Sequence, residues 1–186
     1  MSKIDAEKYK GMTSAFSNIF GNVKEDVRID SFPKPIEIKG IPSIVDNLQG
    51  IINNSEYGKS IILSKSDSRM VISIQDDILF ASGEADLTGK SIKLLNELGK
   101  ILNTIPNQIR IEGNTDNRPY VGKFSNNWRL SIERATTTAA FLVENSNIKK
   151  DRISVVGFGE ENPIASNATD EGKSKNRRVD IVILKQ

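Results

Sequence analysis

Seven positions separate Asn127 from Arg134 in "NWRLSIER", and just upstream the alternating "IRIEG" runs into the polar "NTDN", which carries Asp116. At about 3.6 residues per turn, a spacing of seven returns to nearly the same side of a helix, so an amide and a guanidinium share one edge. Leu130 lies near that edge, while Trp128 and Ser131 diverge from it. A carboxylate at the mouth of the preceding strand closes the groove, with Arg118 and the aromatic Tyr120 close behind. Such a pocket offers a carboxylate to an ammonium, a planar fork to a carboxylate, and the free N–H groups of a helix N-terminus. A zwitterionic amino acid matches that set.

Composition removes the main competitors. The chain has neither histidine nor cysteine, which excludes the common zinc sets, the Ser-His-Asp arrangement, thiolate chemistry and disulfides. No cofactor is expected. The 26 Lys and Arg residues are scattered among 24 Asp and Glu, for a formal net charge of +2; the broad positive field that nucleic acid requires is missing. No apolar run approaches the roughly 20 residues of a spanning helix, and "MSKIDAEKYK" lacks the apolar stretch of a signal peptide.

The elements that must position these residues follow from periodicity. Tyr9, Met12, Phe16 and Ile19 recur at helical spacing between an Asp5 cap and Gly21, predicting a short amphipathic helix. "SFPKPIEIKGIPS" carries three prolines and reads as a semi-stiff linker. Ser43 with Asp46 predicts the cap of a further short helix with Ile44, Leu48, Ile51 and Ile52 on one face, ending by Asn53 or Asn54. "SIILSK" and "RMVISIQ" around "SDS" predict a hairpin, and "LFASGEADLT" a loop into a helix from about Thr88 to Leu102. The strand "QIRIEG", a long helix from about Asn126 to Asn145, and the strands "RISVVGFG" and "RRVDIVIL" complete an α/β sandwich with one helical layer on a sheet. Residues 1–21, 22–58 and 59–186 then form a helix, a linker with a short helix, and a folded domain.

"GNTDN", "NWRLSIERA", "GFGEENPIASN" and "NRRVDIVIL", in that order, resemble the OmpA-like peptidoglycan-binding domain over about Met70 to Leu184. Within that superfamily "TDN" with "SNNWRLSIERA" is most similar to the flagellar stator proteins of the MotB, PomB and MotS type. "DAEKYKGMTSAFSNIFG" resembles the segment after their single membrane helix, including the plug helix that closes the ion channel. The resemblance implies a mixed β-α-β-α-β-β sheet of strand order 1-4-2-3 with helices on one face. It also implies a non-catalytic wall anchor on the extracytoplasmic side, a homodimer, a MotA-like channel partner, and a membrane helix outside this sequence. Asp116 and Arg134 would bind the ammonium and carboxylate of diaminopimelate in the peptidoglycan stem peptide, Asn127 would support them, and Thr115 would shape the loop. Asn114 stands where that family commonly has histidine, and Lys173 where arginine is frequent.

Plainer readings stand beside these. Asp116 alone is a common turn residue, and Arg134 alone a solvated surface partner. Both are expected at the rim of the sheet, where substitution costs little stability. Trp128, which diverges from the Asn127 line, reads as a packing residue at the start of its helix rather than a sugar-stacking platform and is not assigned to the site, and Arg177 and Arg178 read as edge charges of which Arg178 is the one assigned to the ligand. Gly157 and Gly159 lack the third glycine of a phosphate-binding loop. The alternatives are a general cell-wall tether with the same domain, or a peptidoglycan hydrolase pairing Glu112 or Glu160 with Asp116.

Overall fold

The computed structural model describes residues 41–54 and 58–184; the expected helix between Asp5 and Phe20 and the proline-rich linker up to residue 40 lie outside them. The first described helix, α1 (Ile41–Asn54), begins two residues before the expected Ser43 cap. Pro42 sits in its first turn, where a missing N–H removes no intrahelical bond and the fixed φ already suits a helix. Leu48 and Ile52 are buried in the same core cluster as the sheet residues.

The hairpin forms as its alternation requires. β1 (Ile61–Lys65) pairs antiparallel with β2 (Arg69–Gln75), Lys65 opposite Met70, and the Ser66 N–H donates to the Arg69 carbonyl at 2.9 Å to close the turn. Met70, Ile72 and Ile74 point into the core. β2 then runs directly into a single helical turn, α2 (Asp76–Leu79), which four residues are too few to reveal by periodicity.

Helix α3 (Gly89–Asn103) starts at Thr88, whose hydroxyl accepts from the Ser91 N–H at 3.2 Å, and it buries Leu94, Leu95, Leu98 and Leu102. After β3 (Ile109–Asn114), helix α4 (Asn127–Ser146) is capped by the Asn126 carboxamide, which accepts from the Arg129 N–H at 2.9 Å. It ends at Asn147, whose φ of 60° is the left-handed conformation asparagine tolerates at a helix C-terminus. β4 (Ile153–Gly159), the short α5 (Asp170–Asn176) and β5 (Arg178–Leu184) follow.

The sheet order is β1-β2-β5-β3-β4, with β3 and β4 parallel and every other neighbour antiparallel. Numbered from β2, the last four strands run 1-4-2-3, the expected mixed order, with β1 added at the edge. The difference in connectivity is α5, which intervenes where two consecutive strands were expected. Helix α4, the link between the parallel strands, lies close against them because two glycines admit it. A Cβ on Gly113 would collide with the Ser131 carbonyl, and one on Gly157 with Ile132. The glycines of "GFG" therefore serve helix-on-sheet contact. Among the described residues no helix is long and apolar enough to cross a membrane.

Candidate ligand site

Strand direction assembles the site. β5 runs antiparallel to both β2 and β3, with Gln75 and Asn114 each opposite Arg178, so the residues after β2 and β3 meet the residue before β5. Those residues are Asp76, Thr115 with Asp116, and Arg177, and the Asp76 N–H donates to the Arg177 carbonyl at 3.1 Å. Helix α4 lays Arg134 across the same end. Its Nη1 donates to Asp76 Oδ2 at 2.8 Å and its Nε to the Glu84 carbonyl at 2.9 Å, with the Phe80 ring centroid 5.1 Å from the guanidinium carbon.

The charges form a chain. Arg177 Nε donates to Asp76 Oδ1 at 3.3 Å and its Nη1 to Asp116 Oδ2 at 2.9 Å. Arg118 reaches that same Oδ2 through Nε at 2.8 Å and Nη2 at 2.7 Å, while its backbone N–H donates to Oδ1 at 3.1 Å. Burial alone would push the Asp116 carboxyl up, but the hydrogen bonds from Arg118 and Arg177 prevail and hold it below the usual carboxylate range. Asp76 goes the other way: burial outweighs the Arg134 and Arg177 charges and raises it.

This chain lines a cavity of about 600 Å³. Its walls carry three carboxylates (Asp76, Asp77, Asp116) against three guanidinia (Arg118, Arg134, Arg177), so it is formally neutral while strongly dipolar. Phe80, Tyr120 and Leu130 supply its apolar surface.

Of the residues singled out from the sequence, Thr115, Asp116, Asn127, Leu130 and Arg134 all line this cavity. Thr115 Oγ1 donates to the Asp116 carbonyl at 3.0 Å, and its N–H to the Gly159 carbonyl at 2.8 Å. Asn127 Nδ2 lies 2.8 Å from the Arg118 carbonyl and 2.7 Å from Glu160 Oε2, tying the loop after β3 to the start of α4. Asp116 and Arg134 are not rim residues; they are 4% and 3% exposed.

Arg178 does not join them. Strand alternation turns it to the opposite face of the sheet, where its Nε donates to Asp180 at 2.9 Å and Asn114 Nδ2 contacts the same carboxylate at 3.3 Å. Its neighbour Arg177 takes the place expected of it. The parity was available in the sequence: Val179, Ile181 and Ile183 face the core, so Arg177 shares their side, just as Asp76 continues Met70, Ile72 and Ile74. Trp128 also departs from expectation. It is 55% exposed, because Gly159 brings the chain close to its backbone and its Nε1 donates to the Gly157 carbonyl at 2.9 Å, holding the indole at the surface.

Glu112 lies on the same far face as Arg178 and Asp180, 2.6 Å from Arg110, so it does not confront Asp116 across a cleft. Asp116, ionised below the usual range and held by two guanidinia, is the opposite of a general acid, which needs a raised pKa.

A neutral, charge-lined cleft at the end of a mixed sheet under a helical layer is the arrangement of this α/β domain. The chain belongs to the OmpA family, whose family model matches residues 79–177. It is 33% identical over 153 residues to Motility protein B of Bacillus subtilis, across 81% of this chain and 59% of that protein. It thus spans little more than half the length of that relative. It is 41% identical over 107 residues to the peptidoglycan-binding protein ArfA of Mycobacterium tuberculosis, across 57% of this chain and 32% of ArfA. Among solved structures, the cell wall anchor of the T6SS from Pseudomonas aeruginosa superposes with a TM-score of 0.70 at 28% identity, covering 77% of this chain and 97% of that one.

Proposed function

We propose that this domain is a non-catalytic anchor that grips the diaminopimelate residue of a peptidoglycan stem peptide, and that it fixes a MotB-like motility stator to the cell wall from the extracytoplasmic side. The observation that carries the ligand is the neutral cavity with three acidic and three basic walls. Diaminopimelate within a stem peptide ends in a free ammonium and a free carboxylate on one carbon, a neutral dipolar head that a neutral dipolar site accepts without a net charge to desolvate. Asp116 takes the ammonium. Arg134, with five N–H donors of which two contacts go to Asp76 and Glu84, offers the remaining edge to the carboxylate. The likenesses to Motility protein B and to the T6SS wall anchor support the tethering role. In the stator reading the domain acts as a homodimer beside a MotA-like channel subunit, since two engaged sites raise effective concentration against the reaction force of a rotor.

The test is calorimetric titration with a tripeptide ending in meso-diaminopimelate and with its counterpart ending in lysine, which keeps an ammonium but lacks the second carboxylate. Binding to the first should exceed the second by at least about tenfold, as expected where buried donors are left unpaired. Equal affinities would sink the clamp. Sacculi incubated with the protein should release no soluble muropeptides above buffer; release dependent on Asp116 or Glu160 would support a hydrolase instead.

Arg118 has a distinct place in this reading. Its side chain is 57% exposed, yet its guanidinium sits on the oxygen that the ligand ammonium needs, so it stands in for that cation in the free protein and must swing aside. Half-exposed ion pairs are worth less than about 1 kcal/mol, so Arg118→Ala should tighten tripeptide binding by a few-fold at most. A loss of binding in this variant would identify Arg118 as a ligand contact rather than a stand-in.

A further inference from the structure

The connection from β3 to α4, residues 115–126, is longer than the roughly two to six residues common between a strand and a helix, and loops of such length are as a rule functional. Its two ends are fixed. The Thr115 N–H donates to the Gly159 carbonyl at 2.8 Å, and Asn127 Nδ2 donates to the Arg118 carbonyl at 2.8 Å. Its middle is tied instead to the loop after α2. Tyr120 Oη donates to the Gly83 carbonyl at 3.1 Å and accepts from the Phe124 N–H at 3.3 Å, while Lys123 Nζ lies 2.6 Å from Glu84 Oε2 and 3.3 Å from Asp86 Oδ2. Two glycines permit the approach: Gly83 has a φ of 71°, where a side chain would be strained, and a Cβ on Gly122 would collide with Tyr120 Oη. Residues 81–83 and 118–121 both line the ligand cleft, so these bonds tie two of its walls together.

The ties lie at the outer end of the cleft. Asp76, Thr115, Asp116 and Arg134 at its base are buried, whereas the Lys123 and Glu84 side chains are about half exposed and Val121 is 91% exposed. They are also weak contacts, because an ion pair in water is screened by salt and a neutral hydrogen bond exchanges readily with water. We propose that residues 117–126 are a strap closed over the mouth of the cleft, fastened by Lys123 to Glu84 and Asp86 and by Tyr120 to Gly83, which unfastens to admit the stem peptide and refastens to retain it. The inference rests on the stem-peptide reading of the cleft. Arg118, carried on the same segment, leaves Asp116 in the same movement. Lys123, Glu84 and Asp86 do not line the cavity, so their side chains set the rate of exchange without touching the ligand. A fastening that is equally strong in the free and the loaded protein slows entry and release by one factor and leaves affinity alone. An anchor under load benefits from that slow release.

The chain has no cysteine, so Glu84→Cys with Lys123→Cys places a unique thiol pair across the fastening, which a short, reducible thiol cross-linker can join. A tripeptide ending in diaminopimelate, labelled at its amino terminus, reports association and dissociation by fluorescence anisotropy. Cross-linked before the tripeptide is added, the protein should take up none; cross-linked after loading, it should not release what it holds. Reductant should restore exchange in both cases, which shows that the protein stayed folded. In the chain without added cysteines, Lys123→Gln should raise the association and dissociation rates together by about two- to fivefold, the factor an exposed ion pair supplies, with Kd unchanged. Exchange through the cross-link at the rate of the reduced protein would overturn the strap while leaving the peptide clamp standing. So would a loss of uptake that reductant does not reverse, or a Lys123→Gln effect on one rate alone. Failure of the wild type to bind the tripeptide would overturn the clamp, and the strap with it.

Discussion

Arg134→Ala should cost the domain about 3–5 kcal/mol of folding stability, the range for removing one partner of a buried ion pair. Domains of this size are stable by only about 5–15 kcal/mol in total. The pair is buried on both sides, with side-chain exposures of 4% for Arg134 and 10% for Asp76. The substitution also removes the contact with the Phe80 ring and the bond to the Glu84 carbonyl, which together hold the loop after α2 against α4. Asp76 would keep Arg177 alone, at 3.3 Å and partly exposed. The pH dependence follows from the sign of the Asp76 shift, which is already upward. A carboxyl whose folded pKa lies above its unfolded value destabilises the fold once ionised, so its penalty is full above the folded pKa and fades as pH falls through it. Without Arg134 that penalty grows, and the deficit of the variant should be larger at pH 7 than near pH 5. Adding Asp76→Asn to Arg134→Ala removes the stranded charge and should restore part of the loss. Urea denaturation of the wild type, Arg134→Ala and the double variant at the two pH values measures all of this; a deficit below about 1 kcal/mol at pH 7 would show that Arg134 is a rim residue after all.

That expectation reverses the one the sequence alone supports, and the reversal shows what a sequence reading contains. Alternation in "RMVISIQ", "QIRIEG" and "RRVDIVIL" is a local signal, and it identified β2, β3 and β5 because each must send one face into the core. Cap residues are local too, so Thr88 and Asn126 mark the starts of α3 and α4 within a residue of where they fall. The spacing of Asn127, Leu130 and Arg134 is a property of one helix and survives intact. What no local pattern carries is which strand ends meet. Arg177 and Asp76 are 101 positions apart and touch because β5 inserts between β2 and β3. Without that order, Arg177 is as good an edge charge as Arg178, and Asp76 is only the residue after a strand. Burial of Arg134 follows from the same order, since its partner Asp76 arrives from the far side of the chain. Trp128 is a related case: helical spacing places it off the Asn127 edge, but only the approach of Gly159 to its backbone and the bond from its Nε1 to the Gly157 carbonyl, both set by where β4 ends, leave it exposed.

Asp116→Asn separates binding from folding more cleanly than any change at Arg134. The replacement keeps the shape of the side chain, and Arg177 retains Asp76 as a partner while the half-exposed Arg118 can return to water. The fold should therefore lose only the strengthened part of the hydrogen bonds to a charged acceptor, about 1–3 kcal/mol. Binding is different, because the ligand ammonium loses its only full counter-charge at that position in a site shielded from solvent. Truncating one partner of a buried, hydrogen-bonded charge pair costs about 2–5 kcal/mol of binding, which is roughly 30-fold to several thousand-fold in affinity. Pull-down on purified sacculi should drop to background while thermal unfolding stays cooperative. Acid gives an independent check on the same carboxylate. Asp116 is held below the usual range by Arg118 and Arg177 against its burial, and the ligand ammonium would add a further cation beside it. Wild-type binding should therefore persist through the region near pH 3.9 where an ordinary aspartate is half protonated, to the extent that the raised Asp76 still orders Arg134 and Arg177. Asp76→Asn, which is neutral at every pH, should already show at pH 7 whatever part of the binding the wild type loses as Asp76 protonates, and its binding should then stay level until Asp116 itself titrates. If Asp116→Asn binds sacculi as the wild type does while remaining folded, the ammonium is held elsewhere and the clamp assigned to this cavity is wrong.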